Sequence, residues 1–292
     1  MSAVLTSDSI AASSGSDFDA CVAADVARAL AEDVRGGDLT AALVPFKPAR
    51  ARVIARESAV VCGRPWVDAA FAHVVPEGQL VWHVAEGQRC QPNQVVMELH
   101  GPAPQLLTVE RTALNFLQLL SGVATRTAQF VDAIVGTRAR IVDTRKTLPG
   151  LRVAQKYAVL AGGGVNHRMG LFDAILIKEN HIAAAGGVTA VLQQAQAVAA
   201  QARFVEIEVE HLSQLEEALA AGAKMILLDN MDLPTLRQAV ALNQGRAVLE
   251  VSGGVTLETV RALAETGVDR ISIGGLTKDV KATDYSMRFE GL

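Results

Sequence analysis

The chain has 292 residues, of which 50% are hydrophobic and 20% charged, a balance that supports one or two packed cores and excludes wholesale disorder. Its 27 Lys and Arg against 31 Asp and Glu leave a formal charge of −4, so bulk charge does not recruit nucleic acid or an anionic membrane surface. A strongly anionic ligand must instead be met by a local group of cations.

Residues 1–17 are rich in Ser and Ala and lack a basic start followed by an apolar block, so they read as a flexible tail and not as a signal peptide. Phe18, Val22, Val26 and Leu30 recur four apart and predict a helix, followed by a loop at Gly36-Gly37-Asp38-Leu39-Thr40. Residues 51–61, 79–85 and 94–99 are Val-rich and partly alternating, which predicts strands of a small antiparallel sheet with a helix at 65–75 between the first two. The segment 86–99 resembles a biotinyl or lipoyl hairpin but has no lysine at a turn tip. Over 106–135, Val109, Ala113, Phe116, Leu117, Leu120 and Val123 line one helical face. The same region contains Glu110, Arg111, Asn115 and Gln118, which makes it a poor membrane span. Cys21, Cys62 and Cys90 form no CxxC pair and no even-numbered framework, which fits a reduced, cytoplasmic protein.

Beyond residue 140 the pattern changes. Short apolar runs at 140–143, 174–177, 204–209, 225–228, 247–251 and 270–273 alternate with helical patterns at 150–161, 188–201, 212–221, 233–242 and 256–266. Repeated β–α units of this kind close into a parallel sheet, and six strands are fewer than the eight of a full barrel, so an incomplete barrel is expected. The segment 281–290 reads as extended and returns to the first domain. The expected domains are 18–118 with 281–292, and 119–280.

Ligands of parallel α/β folds sit at the carboxyl ends of the strands, and polar residues collect there. The first run ends in Asp143-Thr144-Arg145-Lys146 and the second in Lys178-Glu179-Asn180-His181, with Gly162-Gly163-Gly164-Val165-Asn166-His167-Arg168 between them. Arg145, Lys146, His167, Arg168 and Lys178 can converge as a basic pocket, whose natural guest is a small carboxylated molecule. In the third run, strand periodicity turns Glu206, Glu208 and Glu210 to one inward face. Glu208 and Asp229 are the pair expected to take ribose hydroxyls and a hard cation, Mg²⁺; an internal ion-pair network with Lys146 and Lys178 and no metal is the competing reading. The last two runs end in Ser252-Gly253-Gly254 and Gly274-Gly275, which suit a phosphate cradle. No GxxxxGK[ST] loop is present, which disfavours an ordinary P-loop enzyme. The order along the chain implies joining a carboxylated small molecule to a phosphorylated sugar. A Schiff-base lyase using Lys178 would leave the other pocket residues without a task.

The stretches Asp143 to Arg152, Gln155-Lys156-Tyr157-Ala158-Val159, Gly162 to Arg168 and Ile177-Lys178-Glu179-Asn180-His181 closely resemble the quinolinate phosphoribosyltransferases. So do Glu110 to Asn115, Leu227-Leu228-Asp229-Asn230 and Glu250 to Val255. The resemblance implies an α/β protein: an N-terminal α/β sandwich with a mainly antiparallel sheet plus an incomplete parallel α/β barrel, the type II phosphoribosyltransferase fold. It implies transfer of phosphoribosyl from phosphoribosyl pyrophosphate to quinolinate with decarboxylation, giving nicotinate mononucleotide, pyrophosphate and CO₂ in NAD biosynthesis, with Mg²⁺ as cofactor. It further implies a homodimer or higher oligomer whose sites are shared across the interface through Arg111. Arg145, His167, Arg168 and Lys178 should then hold the carboxylates. Thr144 and Lys146 should flank quinolinate or pyrophosphate, and Lys146, Lys178, Glu208 and Asp229 should be the catalytic group. Ser252, Gly253, Gly254, Gly274 and Gly275 should hold the 5′-phosphate. Asp279 and Thr283 depart from residues common in the family.

Overall fold

The computed structural model describes residues 16–290, so the expected tail over 1–17 lies outside the described residues except for its last two, which open the first helix. The chain divides into two compact units. One comprises residues up to 128, 148–163 and 279 onward; the other comprises 129–147 and 164–278. This partition differs from the expected 118/119 boundary, because the segment 148–163 packs with the first unit.

In the first unit, α1 (Ser16–Asp33) buries Val22, Val26 and Leu30, the residues spaced four apart in sequence. Strands β1 (Pro48–Ala55), β3 (Gln79–Trp82), β5 (Val95–Pro102) and β12 (Tyr285–Glu290) form a four-stranded sheet in the order β12-β1-β5-β3, every pair antiparallel. Alternation along β1 buries Ala51, Val53 and Ala55 on one face and leaves Arg50 and Arg52 on the other, where both pair with Glu98. Strands β2 (Ala59–Val60) and β4 (Arg89–Cys90) make a separate two-stranded ladder. Helix α2 (Arg64–Val74) lacks a side-chain cap from its own N-cap residue, Gly63. The half-buried Glu86 carboxylate accepts from the Gly63 and Arg64 N–H groups instead, and satisfies two donors at that helix end. The long helix α3 (Ala103–Ala133) buries Val109, Ala113, Phe116, Leu117, Leu120 and Val123. Helix α4 (Arg152–Ala161) contributes Tyr157, whose ring packs against Phe18 and Trp66. All three cysteines are free, and no helix among the described residues is long and apolar enough to cross a membrane.

The second unit holds β6 (Arg140–Val142), β7 (Ile175–Ile177), β8 (Val205–Val209), β9 (Met225–Asp229), β10 (Val248–Ser252) and β11 (Arg270–Ser272), all parallel, in the order β6-β11-β10-β9-β8-β7. The last strand of the unit therefore returns to pair with the first, and β6 and β7 are the two edges of the sheet. A single bridge, Val142 to Val165, occupies that side of β6. This is the incomplete barrel that the six apolar runs imply. Helices α5 (Glu179–Ala185), α6 (Val188–Gln196), α7 (Leu212–Ala220), α8 (Leu233–Asn243), α9 (Val260–Ala264) and α10 (Gly275–Lys278) connect the strands. α5 is absent from the sequence reading, and the helical pattern over 256–266 narrows to the five residues of α9.

The returning segment before β12 crosses α3 closely. A Cβ on Gly122 would overlap the Lys281 carbonyl, and the Thr283 N–H donates to the Gln118 carbonyl at 3.0 Å. Alanine in a helix interior gains about 1 kcal/mol over glycine, but a clash with backbone costs about 1–3 kcal/mol. Gly122→Ala should therefore lower the urea midpoint of unfolding; an unchanged or raised midpoint would contradict this crossing.

Candidate active site

Every expected site residue except Arg111 lies in the second unit, at or just beyond the carboxyl ends of its strands. Asp143, the first polar residue after β6, is fully buried. Its carboxylate accepts from the His167 N–H at 2.8 Å and from Asn166 Nδ2 at 2.6 Å, tying the loop that carries His167 and Arg168 to the end of β6. Thr144 Oγ1 accepts the Lys146 N–H at 3.0 Å. The Lys146 carbonyl accepts from the buried Thr277 hydroxyl at 2.8 Å. The stem of Lys146 lies over Gly274, where an added Cβ would come within 2.9 Å of its Cδ. The β6 loop and the glycine loop after β11 thus pack against each other.

Arg168 is buried, and Arg145 is half-buried beside it. Burial, and next the nearby charge of Arg145, hold the Arg168 guanidinium below its ordinary range. A buried guanidinium whose charge is disfavoured by a neighbouring cation marks a place where an anion lowers the energy. Arg168 is aimed by one hydrogen bond to the Ala174 carbonyl. Its loop is closed by Asp173, which accepts the Met169 and Gly170 N–H groups and pairs with Arg203 at 3.1 Å. Lys178, exposed at the start of α5, reaches Glu208 with Nζ to Oε2 at 3.1 Å. The competing ion-pair reading thus has one of its bridges, at the rim.

His167 is buried, and both its ring nitrogens are engaged. The Arg168 N–H donates to Nδ1 at 2.8 Å, so the proton sits on Nε2, which donates to Glu206 Oε2 at 2.7 Å. The ring therefore braces Arg168 and does not present an open donor for a substrate carboxylate. Of the three glutamates expected inward, Glu206 and Glu208 share the inner face of β8. Glu210 follows the strand end and is exposed, because the strand stops at Val209. Below the mouth lies a buried polar layer that sequence reading missed. Glu250 on β10 is fully buried and accepts from Arg270 of β11 at 2.7 Å. The signal was available: Glu250 and Arg270 each interrupt an apolar run at an inward position.

His167, Glu206 and Glu250 offer donor atoms within 4.8 Å of one another. The tautomer argues against a metal there, since the lone pair a cation would need on Nε2 is occupied by a proton. Glu208 and Asp229 stand at the ends of adjacent strands, half-buried and nearer solvent. Asp229 accepts from Asn230 Nδ2 at 2.7 Å. Two carboxylates at an open rim suit Mg²⁺, which keeps several waters and takes further oxygens from a diphosphate. Past them, Ser252 leads into Gly253 and Gly254, both at positive φ (103° and 58°), a backbone that glycine adopts at little steric cost. Arg111 lies exposed on α3 in the first unit.

A nearly closed parallel barrel with paired guanidiniums, rim carboxylates and glycine loops after its last two strands defines an α/β barrel enzyme acting on phosphorylated and carboxylated small molecules. Residues 38–121 match the family model described as quinolinate phosphoribosyl transferase, N-terminal domain, and residues 123–288 match the C-terminal domain. The chain is 43% identical over 273 residues to the nicotinate-nucleotide pyrophosphorylase (carboxylating) of Mycobacterium leprae, covering 90% of this chain and 95% of that one. It is 42% identical over 257 residues to a probable enzyme of the same name from Bacillus subtilis, covering 88% and 89%. The solved nicotinate-nucleotide pyrophosphorylase of Francisella tularensis superposes with a TM-score of 0.91 at 42% identity, over 93% of this chain and 97% of that one. The chain belongs to the quinolinate phosphoribosyltransferase family.

Burial pushes the Glu206 carboxyl up to about 7 from its ordinary 4.5; Arg270 opposes the shift and the charge of Glu208 adds to it. The folded chain then binds a proton that the unfolded chain has released, so this group's contribution to stability falls as pH rises from about 4.5 to about 7. Glu206→Gln keeps an acceptor for His167 but cannot ionise. In chelator-containing buffer it should lose less stability between pH 5 and pH 8 than the parent; equal loss, read as urea midpoints, would contradict the shift.

Proposed function

We propose that the cations and acids at the barrel mouth divide the work of the family's reaction. The chain catalyses transfer of the phosphoribosyl group of phosphoribosyl pyrophosphate to quinolinate with decarboxylation, giving nicotinate mononucleotide, pyrophosphate and CO₂. The observation that carries the residue assignment is the buried Arg168 guanidinium, whose charge is disfavoured by burial and by the neighbouring charge of Arg145. Quinolinate has two adjacent carboxylates and relieves that repulsion, whereas a neutral guest does not. His167 braces Arg168, and Lys178 extends the cationic edge. Lys146, stretched over Gly274, lies between the quinolinate pocket and the seat for the diphosphate, and Thr144 fixes its backbone.

The pyridine nitrogen attacks the anomeric carbon as the bond to pyrophosphate breaks. Both reactants are polyanions, and holding them in register against their repulsion supplies much of the rate. Lys146 offsets charge that develops on the departing oxygens. The nitrogen, once quaternary, stabilises by its positive charge the carbanion left on the adjacent carbon as CO₂ departs, and that electron pair then takes up a proton. Buried Arg168 beside the carboxylates keeps water from levelling these fields. Glu208 and Asp229 would hold Mg²⁺ and the ribose hydroxyls; bound there, the ion supplies charge neutralisation for the diphosphate. Ser252-Gly253-Gly254 and Gly274-Gly275 receive the 5′-phosphate.

The active form is a homodimer or larger, with Arg111 lent to the partner's site. Exposed Leu39, Leu43 and Phe46 in the first unit, and Leu171 and Phe172 in the second, are apolar surface of the kind a second copy covers. The composition and thiols suit the cytoplasm.

The assay mixes quinolinate, phosphoribosyl pyrophosphate and Mg²⁺ and measures pyrophosphate and CO₂, expected in equal amounts. Arg168→Ala truncates a buried charge and should cost about 2–5 kcal/mol of transition-state binding, roughly 30- to several-thousand-fold in kcat/KM for quinolinate. Wild-type efficiency in that variant would remove Arg168 from the pocket.

A further inference from the structure

We propose that Asn230 is a positioning residue that locks the rim carboxylate Asp229 to the glycine loop after β10, and so sets the spacing between the ribose end and the phosphate end of the sugar substrate. The proposal rests on the function given above. Asn230 makes contact in three directions. Its Nδ2 donates to Asp229 Oδ2 at 2.7 Å. Its backbone N–H donates to the Ser252 carbonyl at 3.1 Å. Its Oδ1 lies against Gly253 so closely that a Cβ on that glycine would overlap it.

The backbone supports this arrangement. Asn230 sits at φ 53°, a left-handed conformation that is uncommon for a residue with a side chain and that Asn tolerates best. At that φ the chain turns back toward β10, and the register pairing Ser252 with Asp229 is prolonged by one more hydrogen bond beyond the strand end. Gly253, at φ 103°, supplies the bare backbone against which the amide packs.

The residue types follow from these tasks. Aspartate at 230 has no donor for Asp229 and adds like charge beside it. Glycine keeps the left-handed backbone and loses the amide. Alanine loses both. A carboxylate whose Oδ2 is already held has its other oxygen fixed in one direction. That benefits only the ligand that spans Asp229 and the Gly253 loop, namely the phosphoribosyl donor. Quinolinate, held by Arg145 and Arg168, gains nothing from it.

Steady-state kinetics of Asn230→Gly, with each substrate varied in turn, tests the idea. The expected result is a rise of about ten- to hundredfold in KM for phosphoribosyl pyrophosphate, the size of losing a hydrogen bond to a charged group. The half-saturating Mg²⁺ concentration should rise with it. KM for quinolinate should stay within about twofold. Asn230→Asp should be worse than Asn230→Gly. Calorimetric binding of quinolinate to Asn230→Gly checks that the pocket is folded. An unchanged KM for phosphoribosyl pyrophosphate overturns the proposal, and so does an equal rise in both KM values with weakened quinolinate binding, which is the mark of a general structural role. Failure of the functional reading itself would look different: the unaltered enzyme would release no pyrophosphate.

Discussion

The repulsion between Arg145 and Arg168 is the constraint on which the site depends. A folded chain does not hold two guanidiniums together for its own stability, and burial makes the arrangement costlier. It persists because rigid elements impose it. Asp143 pins the 164–168 loop to the end of β6, His167 accepts the Arg168 N–H, and Asp173 closes the turn that follows. On the proposed function, that cost becomes attraction once a dicarboxylate enters. Substrate recognition and local destabilisation are thus the same electrostatic term seen with and without the guest.

The layer beneath the mouth explains how such a charge group is tolerated. Glu206 and Glu250 lie buried among the strands with the half-buried Arg270 beside Glu250, and Glu206 reaches up to the ring that braces Arg168. Acid and base alternate from the barrel interior toward the rim, where Lys178 pairs with Glu208. Fully apolar packing at that depth would leave the cations above without a counter-charge in a low-dielectric interior.

Much of this was legible in the sequence because strand periodicity and short apolar runs are local signals. The six runs became six parallel strands, and Arg145, after the first of them, lies near enough to Arg168 for its charge to be felt there. What was not legible depends on contacts between distant segments. That Asp143 is a strut, that Lys146 lies over Gly274, and that Asn230 packs on Gly253 all follow from strand register, which single-residue patterns do not fix. Glu210 was misread because the pattern of alternating glutamates continues one residue past the strand. The boundary at 118/119 missed α4, whose apolar face follows the β–α rhythm yet packs with Phe18 and Trp66 of the first unit.

The account's central claim is that paired guanidiniums read two carboxylates. Isothermal titration of the enzyme with quinolinate and with nicotinate, which lacks one carboxylate, tests it most directly. Loss of one charge-assisted partner of a buried cation is worth about 2–5 kcal/mol, so nicotinate should bind at least about 30-fold more weakly. Equal affinities would contradict the account.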